Sequence, residues 1–86
     1  MSIQIDITST PFSTNNSNNQ HQSTDWVIED SSNNVIYNNL GDTTNLTSLT
    51  LVDPPNITSG NTYTLKVKYN GSILDSNEVS VNFSIP

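Results

Sequence analysis

Thr62-Tyr63-Thr64-Leu65-Lys66-Val67-Lys68-Tyr69 decides the fold of this chain. Its large residues, Tyr63, Leu65, Val67 and Tyr69, fall on every second position, and Thr64, Lys66 and Lys68 fill the gaps. A period of two marks a strand with one face buried and the other wet. Lys66 and Lys68, the only 2 basic residues of the chain, both fall on the wet face. A second run repeats the pattern, with Val79, Val81, Phe83 and Ile85 alternating with Ser80, Asn82 and Ser84. Together the two runs predict a half-buried antiparallel sheet.

Working outward, Ile3, Ile5 and Ile7 alternate with Gln4, Asp6 and Thr8 and read as a first strand, with Pro11 limiting further pairing. The stretch from Ser13 to Gln22 holds no apolar residue and reads as either a long solvated loop or a mobile one. Thr24, Trp26 and Ile28 form the buried phase of a second strand. The turn-rich Asp30-Ser31-Ser32-Asn33-Asn34 joins it to a short third strand, Val35-Ile36-Tyr37, as a hairpin. Leu40-Gly41-Asp42 interrupts the pattern. Leu49 and Leu51 lead a fourth strand, which Asp53-Pro54-Pro55 ends because proline has no N–H for the ladder. Asn70-Gly71 reads as a turn pair, with Ile73-Leu74 as a short extension of its hairpin. About six strands and no helix favour an antiparallel β-sandwich of six to seven strands. Its expected core is Trp26, Ile28, Leu49, Leu51, Tyr63, Leu65, Val67, Val79, Val81 and Phe83.

A length of 86 residues implies one domain, residues 1–86, whose core must carry the fold without disulfides, since there are 0 cysteines. With Lys plus Arg at 2 and Asp plus Glu at 8, the formal charge is −6. That disfavours nucleic acid as a partner, because phosphate binding needs clustered cations, and it disfavours docking on anionic membranes. No apolar run approaches the ~20 residues of a membrane span, so no membrane insertion is expected. Met1 to Ile7 lacks the basic head and apolar segment of a secretion signal.

Ile57-Thr58-Ser59-Gly60-Asn61-Thr62-Tyr63 followed by Thr64-Leu65-Lys66-Val67 resembles the approach to strand F of a fibronectin type III domain. In that family an apolar residue precedes the tyrosine by six positions, and the tyrosine hydroxyl bonds backbone upstream, pinning the corner between strands E and F. An ordered set covering most of the chain is similar to type III-like repeats in bacteriophage virion proteins: Ser9-Thr10-Pro11-Phe12, Ser23-Thr24-Asp25-Trp26-Val27-Ile28, Val35-Ile36-Tyr37, Asn45-Leu46-Thr47-Ser48-Leu49-Thr50-Leu51 and the Tyr63 strand. The resemblance implies a fibronectin type III-like, immunoglobulin-like sandwich. Ile3–Thr8 becomes strand A or B, Thr24–Glu29 becomes C, Val35–Tyr37 C′, Thr47–Val52 E, Thr62–Tyr69 F and Glu78–Ile85 G. The chain departs from the family by offering one strand before C where two are usual.

The function this implies is a non-catalytic structural, spacer or decoration module of a phage virion or tail protein, located in the virion or outside the cell. Its partners would be other virion or tail protein domains. The alternative is an adhesion module that binds a ligand or cell-surface glycan through Ser13–Gln22, Ser31–Asn34 and Asp75–Asn77, since rigid sandwiches place binding sites on loops.

No residue is assigned a catalytic, cofactor-binding or metal-ligating role. His21 is the only histidine. It lacks the sharp nucleophile turn and second-shell partners of a Ser–His–Asp site, and alone it does not make a zinc site. Asp30 with Asn33 and Asn34, Asp42 with Asp53, and Asp75 with Glu78 offer hard oxygens suited to calcium, but no EF-hand loop is present and such residues commonly serve as turn formers. Trp26 shares the phase of Thr24 and Ile28, which places it in the core rather than on a sugar-stacking surface. Asn15, Asn45, Asn56, Asn70 and Asn82 each open an Asn-x-Ser/Thr triplet, which chance explains in so Asn-rich a chain.

Overall fold

The computed structural model describes residues 3–10, 12 and 18–86. They form six strands: β1 (Gln4–Thr8), β2 (His21–Glu29), β3 (Val35–Asp42), β4 (Ser48–Val52), β5 (Thr62–Gly71) and β6 (Val79–Ser84). Every pairing is antiparallel, in a two-stranded sheet β1-β4 and a four-stranded sheet β3-β2-β5-β6. The chain is an all-β antiparallel sandwich, compatible with a fibronectin type III-like or immunoglobulin-like fold. β1 pairs with β4 as B pairs with E, and β2-β5-β6 follow the order C-F-G of immunoglobulin-like domains. Of the two readings of the first strand, A or B, the pairing selects B.

The centre is built where the alternation is strongest. Trp26 and Ile28 of β2 are 0 % exposed, and Tyr63 and Leu65 of β5 face the same way. From the other sheet Ile7 and Leu49 close the core, and Ile57 joins from the loop before β5. Thr24 is also 0 % exposed. Its hydroxyl donates to the Leu46 carbonyl at 2.6 Å, which offsets the cost of burying it. The indole N–H of Trp26 donates to the Asn45 carbonyl at 2.9 Å. The corner before β5 forms as the resemblance implies: the Thr58 N–H donates to the Tyr63 hydroxyl at 2.9 Å.

Leu51, Val67 and Phe83 pack against this core half-buried. Two expected core residues do not belong to it. Val79 is 64 % exposed and Val81 55 %. The cause is unequal sheet width. β6 is the edge of a four-stranded sheet, while the sheet facing it has, among the described residues, only β1 and β4. The inward face of β6 overhangs, and alternation in a strand records which side chains share a face, not whether a second layer covers it.

Two turn readings are also corrected. Asn70 and Gly71 lie within β5, paired with Ser23 and His21 of β2. The Asn70 amide donates to Ser23 Oγ at 3.0 Å and to the Asp25 carboxylate at 2.8 Å, so its polar side chain serves the ladder rather than a turn. Gly71 is required by close approach: a Cβ there would stand 2.2 Å from the Leu74 carbonyl oxygen and 2.4 Å from Asn19 Oδ1. Leu40-Gly41-Asp42 continues β3 instead of ending it. The register slips by one residue between Thr24 and Trp26, and Gly41 takes φ 70° in the resulting bulge. The β2–β3 hairpin forms as read, with Asn33 at φ 66° and the Asp30 carboxylate accepting from the Ser32 and Asn34 amides, both at 2.9 Å.

Candidate functional site

The three loops expected to carry binding do not all meet. His21 pairs with Gly71 and Glu29 with Thr64. The 72–78 connection therefore lies at the His21 end of the sandwich, and Ser31–Asn34 lies at the Glu29 end. Eight residue steps at ~3.3 Å put them about 26 Å apart. Of Ser13–Gln22, residues 13–17 lie outside the described residues. The rest sits beside the 72–78 connection.

That shared end is held by polar side chains at short range. Asn19 is 6 % exposed, and its Oδ1 accepts from the Ile73 amide at 3.0 Å and the Leu74 amide at 3.3 Å, while its Nδ2 donates to the Leu74 carbonyl at 3.1 Å. Gln20 and Ser72 exchange two bonds of 2.9 Å. Ser76 closes the connection back on Tyr69 through two further bonds of 2.9 Å. The Tyr69 hydroxyl bonds to Ser9 Oγ and to the Thr10 carbonyl, which ties β5 to the chain leaving β1. Asn19 and this clamp were missed from sequence. The only available signal was the alternation that aligns Tyr69 with Tyr63, and nothing in a polar run distinguishes one buried asparagine.

His21 lies in an aromatic stack, its ring centroid 4.2 Å from Tyr69 and 5.3 Å from Phe12. Its Nε2 is 2.8 Å from the Thr24 hydroxyl. That hydroxyl already gives its proton to the Leu46 carbonyl. His21 must therefore be the donor, which fixes the Nε2–H tautomer. Removal from solvent holds its pKa below the ordinary histidine value, against a smaller opposing effect of a bond to Ser23 backbone. The imidazole is oriented by a hydroxyl that cannot act as a nucleophile without breaking its own bond, and its contacts include no carboxylate.

Of the carboxylates singled out for calcium, Asp30, Asp42, Asp53 and Asp75 accept from N–H donors within the fold. The bond from the Asn34 amide is the largest influence holding the Asp30 pKa down. Asp42 is held down first by the Asn45 amide, and it also accepts from the Asn39 and Asn45 side chains at 2.9 and 2.8 Å. Asp53 accepts from the Ile3 amide at 2.7 Å. Asp75 pairs with Lys68 at 3.6 Å, and Lys66 pairs with Glu29 at 3.0 Å, which raises the lysine pKa. Among the described residues, no three or more of His, Cys, Asp and Glu come together in a group that could hold a metal ion.

A concavity lies on the side of the sandwich, along the overhang of β6. It runs between β1 and β6 with Leu65 in its floor, and its two parts hold about 740 and 460 Å³. Val79 and Val81 wall one part, and Val81, Phe83 and Ile85 the other. Asp6, at one rim, is the only charged residue in either lining. Comparison with protein-family models, curated proteins and solved structures finds no match. Topology and geometry alone therefore support the fold assignment.

Proposed function

We propose that this domain is a non-catalytic structural module, a spacer or decoration, of a bacteriophage virion or tail protein, and that it contacts other domains of that particle. The observation that carries this reading is how the polar side chains are used. Asp30, Asp42, Asn19 and Asn70 spend their hydrogen-bonding capacity inside the fold. Among the described residues no buried side-chain nitrogen or oxygen lacks a partner. A ligand-binding or catalytic centre commonly leaves such groups unpaired or strained. The ordered likeness of Ser23–Ile28 and the Tyr63 corner to type III-like virion repeats supports the phage setting. The buried Trp26 removes the most favourable sugar platform from the adhesion alternative.

The test is antibody detection of the domain in gradient-purified particles from the producing culture, with labelling mapped by electron microscopy. Particle-bound signal is the expected result. Signal confined to the soluble fraction refutes the reading. Reproducible capture of one sugar family on a glycan array, abolished by substitutions in residues 31–34 or 75–77, replaces it with adhesion.

A further inference from the structure

The groove beside β1 combines an apolar floor with an unpaired backbone edge. In β1 the alternation of ladder bonds can be read from its ends. The Asp53 amide donates to the Ile3 carbonyl at 2.6 Å, and the Ser9 amide donates to the Thr47 carbonyl at 2.8 Å. Odd-numbered residues thus bond toward β4, and the N–H and C=O of Gln4, Asp6 and Thr8 point the other way. Among the described residues no strand lies there, and β4 is the one neighbour of β1. These groups border the space that the overhanging Val79, Val81 and Phe83 leave uncovered.

We propose that this groove is a docking site for one extended strand supplied by another polypeptide. The strand adds to the free edge of β1 and lays apolar side chains, at every second position, over Val79, Val81 and Phe83. Three features select this occupant. The row of edge N–H and C=O groups asks for extended backbone, the β-augmentation mode of recognition. The apolar wall recurs every second residue, which matches one face of a strand. β1 has 5 residues, which at ~3.3 Å each accommodates a donor strand of about five residues.

A second copy of the chain does not fit. Pairing β1 with its own mate while keeping the apolar faces on one side drives the mate's four-stranded sheet into the volume held by β6. Turning the mate over sets Gln4, Asp6 and Thr8, all exposed and polar, against Val79 and Val81. The occupant must be a strand not already backed by a sheet. Charge refines its chemistry. Asp6 points to the solvent face of β1, and the protein carries a formal −6 with both lysines engaged by Glu29 and Asp75. A donor with lysine or arginine on its outward face, beside Asp6, is the complement. The proposal stands independently of whether the domain is deployed on a virion.

The experiment titrates the 86-residue chain with a short peptide alternating valine with lysine and threonine, and with a peptide of the same composition whose valines are contiguous. Backbone amide NMR is the readout. The alternating peptide is expected to bind at least roughly tenfold more tightly than its rearranged control. It is also expected to slow hydrogen exchange at the amides of Gln4, Asp6 and Thr8. Val81→Lys, at an exposed position, is expected to abolish binding with an unchanged amide spectrum elsewhere. Thr8→Pro, which leaves the wall apolar but removes an edge donor, is expected to weaken it as well. Asp6→Asn is expected to weaken the lysine peptide and leave a lysine-free version unaffected. The proposal is overturned by an absence of binding up to millimolar peptide, by equal binding to the Val81→Lys chain, or by protection at Ser80, Asn82 and Ser84 instead. Self-association that protects the β1 amides without peptide would assign the groove to a second copy and overturn it too.

Discussion

Leu65 and Val81 are direct cross-strand partners on the same face of one sheet, yet their truncation should have very different consequences. Leu65 is 6 % exposed, packed in the cluster that holds Trp26 and Ile28. Val81 is 55 % exposed. Leu65→Ala removes buried methyl groups and leaves a cavity that the neighbouring aromatic rings fill only partly, at a cost of roughly 2–5 kcal/mol. Val81→Ala removes atoms that already meet water, and substitutions of that kind usually stay within about 0.5 kcal/mol. A chain of 86 residues has on the order of 4–13 kcal/mol of stability, so the leucine change takes a large part of the total. Urea denaturation followed by tryptophan fluorescence measures both, since Trp26 is the only tryptophan and lies in the core. The expected result is a large drop in midpoint for Leu65→Ala and an almost unmoved curve for Val81→Ala, both at unchanged slope. Equal losses would refute the reasoning, because they would mean that Val81 is covered in solution and that β6 does not overhang.

Tyr63→Phe deletes the acceptor of the Thr58 amide, and since Thr58 is itself exposed the cost should sit near 1 kcal/mol, read as a fall in Tm of about 4–8 °C. Gly71→Ala forces a Cβ into the Leu74 carbonyl and the Asn19 amide, and a loss of about 1–3 kcal/mol with faster exchange at the Ile73 and Leu74 amides is expected. The His21 pKa is lowered by burial, so the unfolded chain binds this proton more readily. Stability is then complete above the unfolded value near 6.5 and declines as pH falls from there through the folded value; melting between pH 7.5 and 5 should show it, and His21→Gln should flatten that window. Asp30 and Asp42, whose pKa values are depressed by amide donors, contribute stability that is lost only further down, as pH falls below about 4, and Asp42→Ala should remove part of that acid step.

Much of the fold was legible because it rests on period and on local turn chemistry. Tyr63 and Leu65 on one phase, Trp26 and Ile28 on another, and Asp30 to Asn34 between two apolar runs each carry their meaning within a few residues. The corner residue Tyr63 was legible for the same reason, since its partner Thr58 is five positions away. What failed to show was long-range. Asn70-Gly71 has the composition of a turn, but its environment is set by Asn19 and Asp25, more than forty residues upstream, and a close approach of chains selects glycine as readily as a positive φ does. Asn19 looked like any other member of a polar loop because its two amide donors come from Ile73 and Leu74.

The overhang of β6 is the instructive case. Val79 and Val81 repeat the alternation of Leu65 and Val67 without a flaw, and by sequence the two strands are equals. Their fates differ because burial belongs to a pair of layers. β5 is flanked by β2 and β6 and lies under β1, whereas β6 has one neighbour in its sheet and, among the described residues, no strand opposite Val79 and Val81. Natural edges are usually blunted by charge, proline or short length. β6 instead keeps its apolar phase, with serine and asparagine between, and β1 keeps an open ladder next to it. Inward valines that the described residues do not cover leave room for one more strand in the facing layer. The proposed docking of an extended strand in the β1–β6 groove rests on that physical mismatch more than on any single side chain.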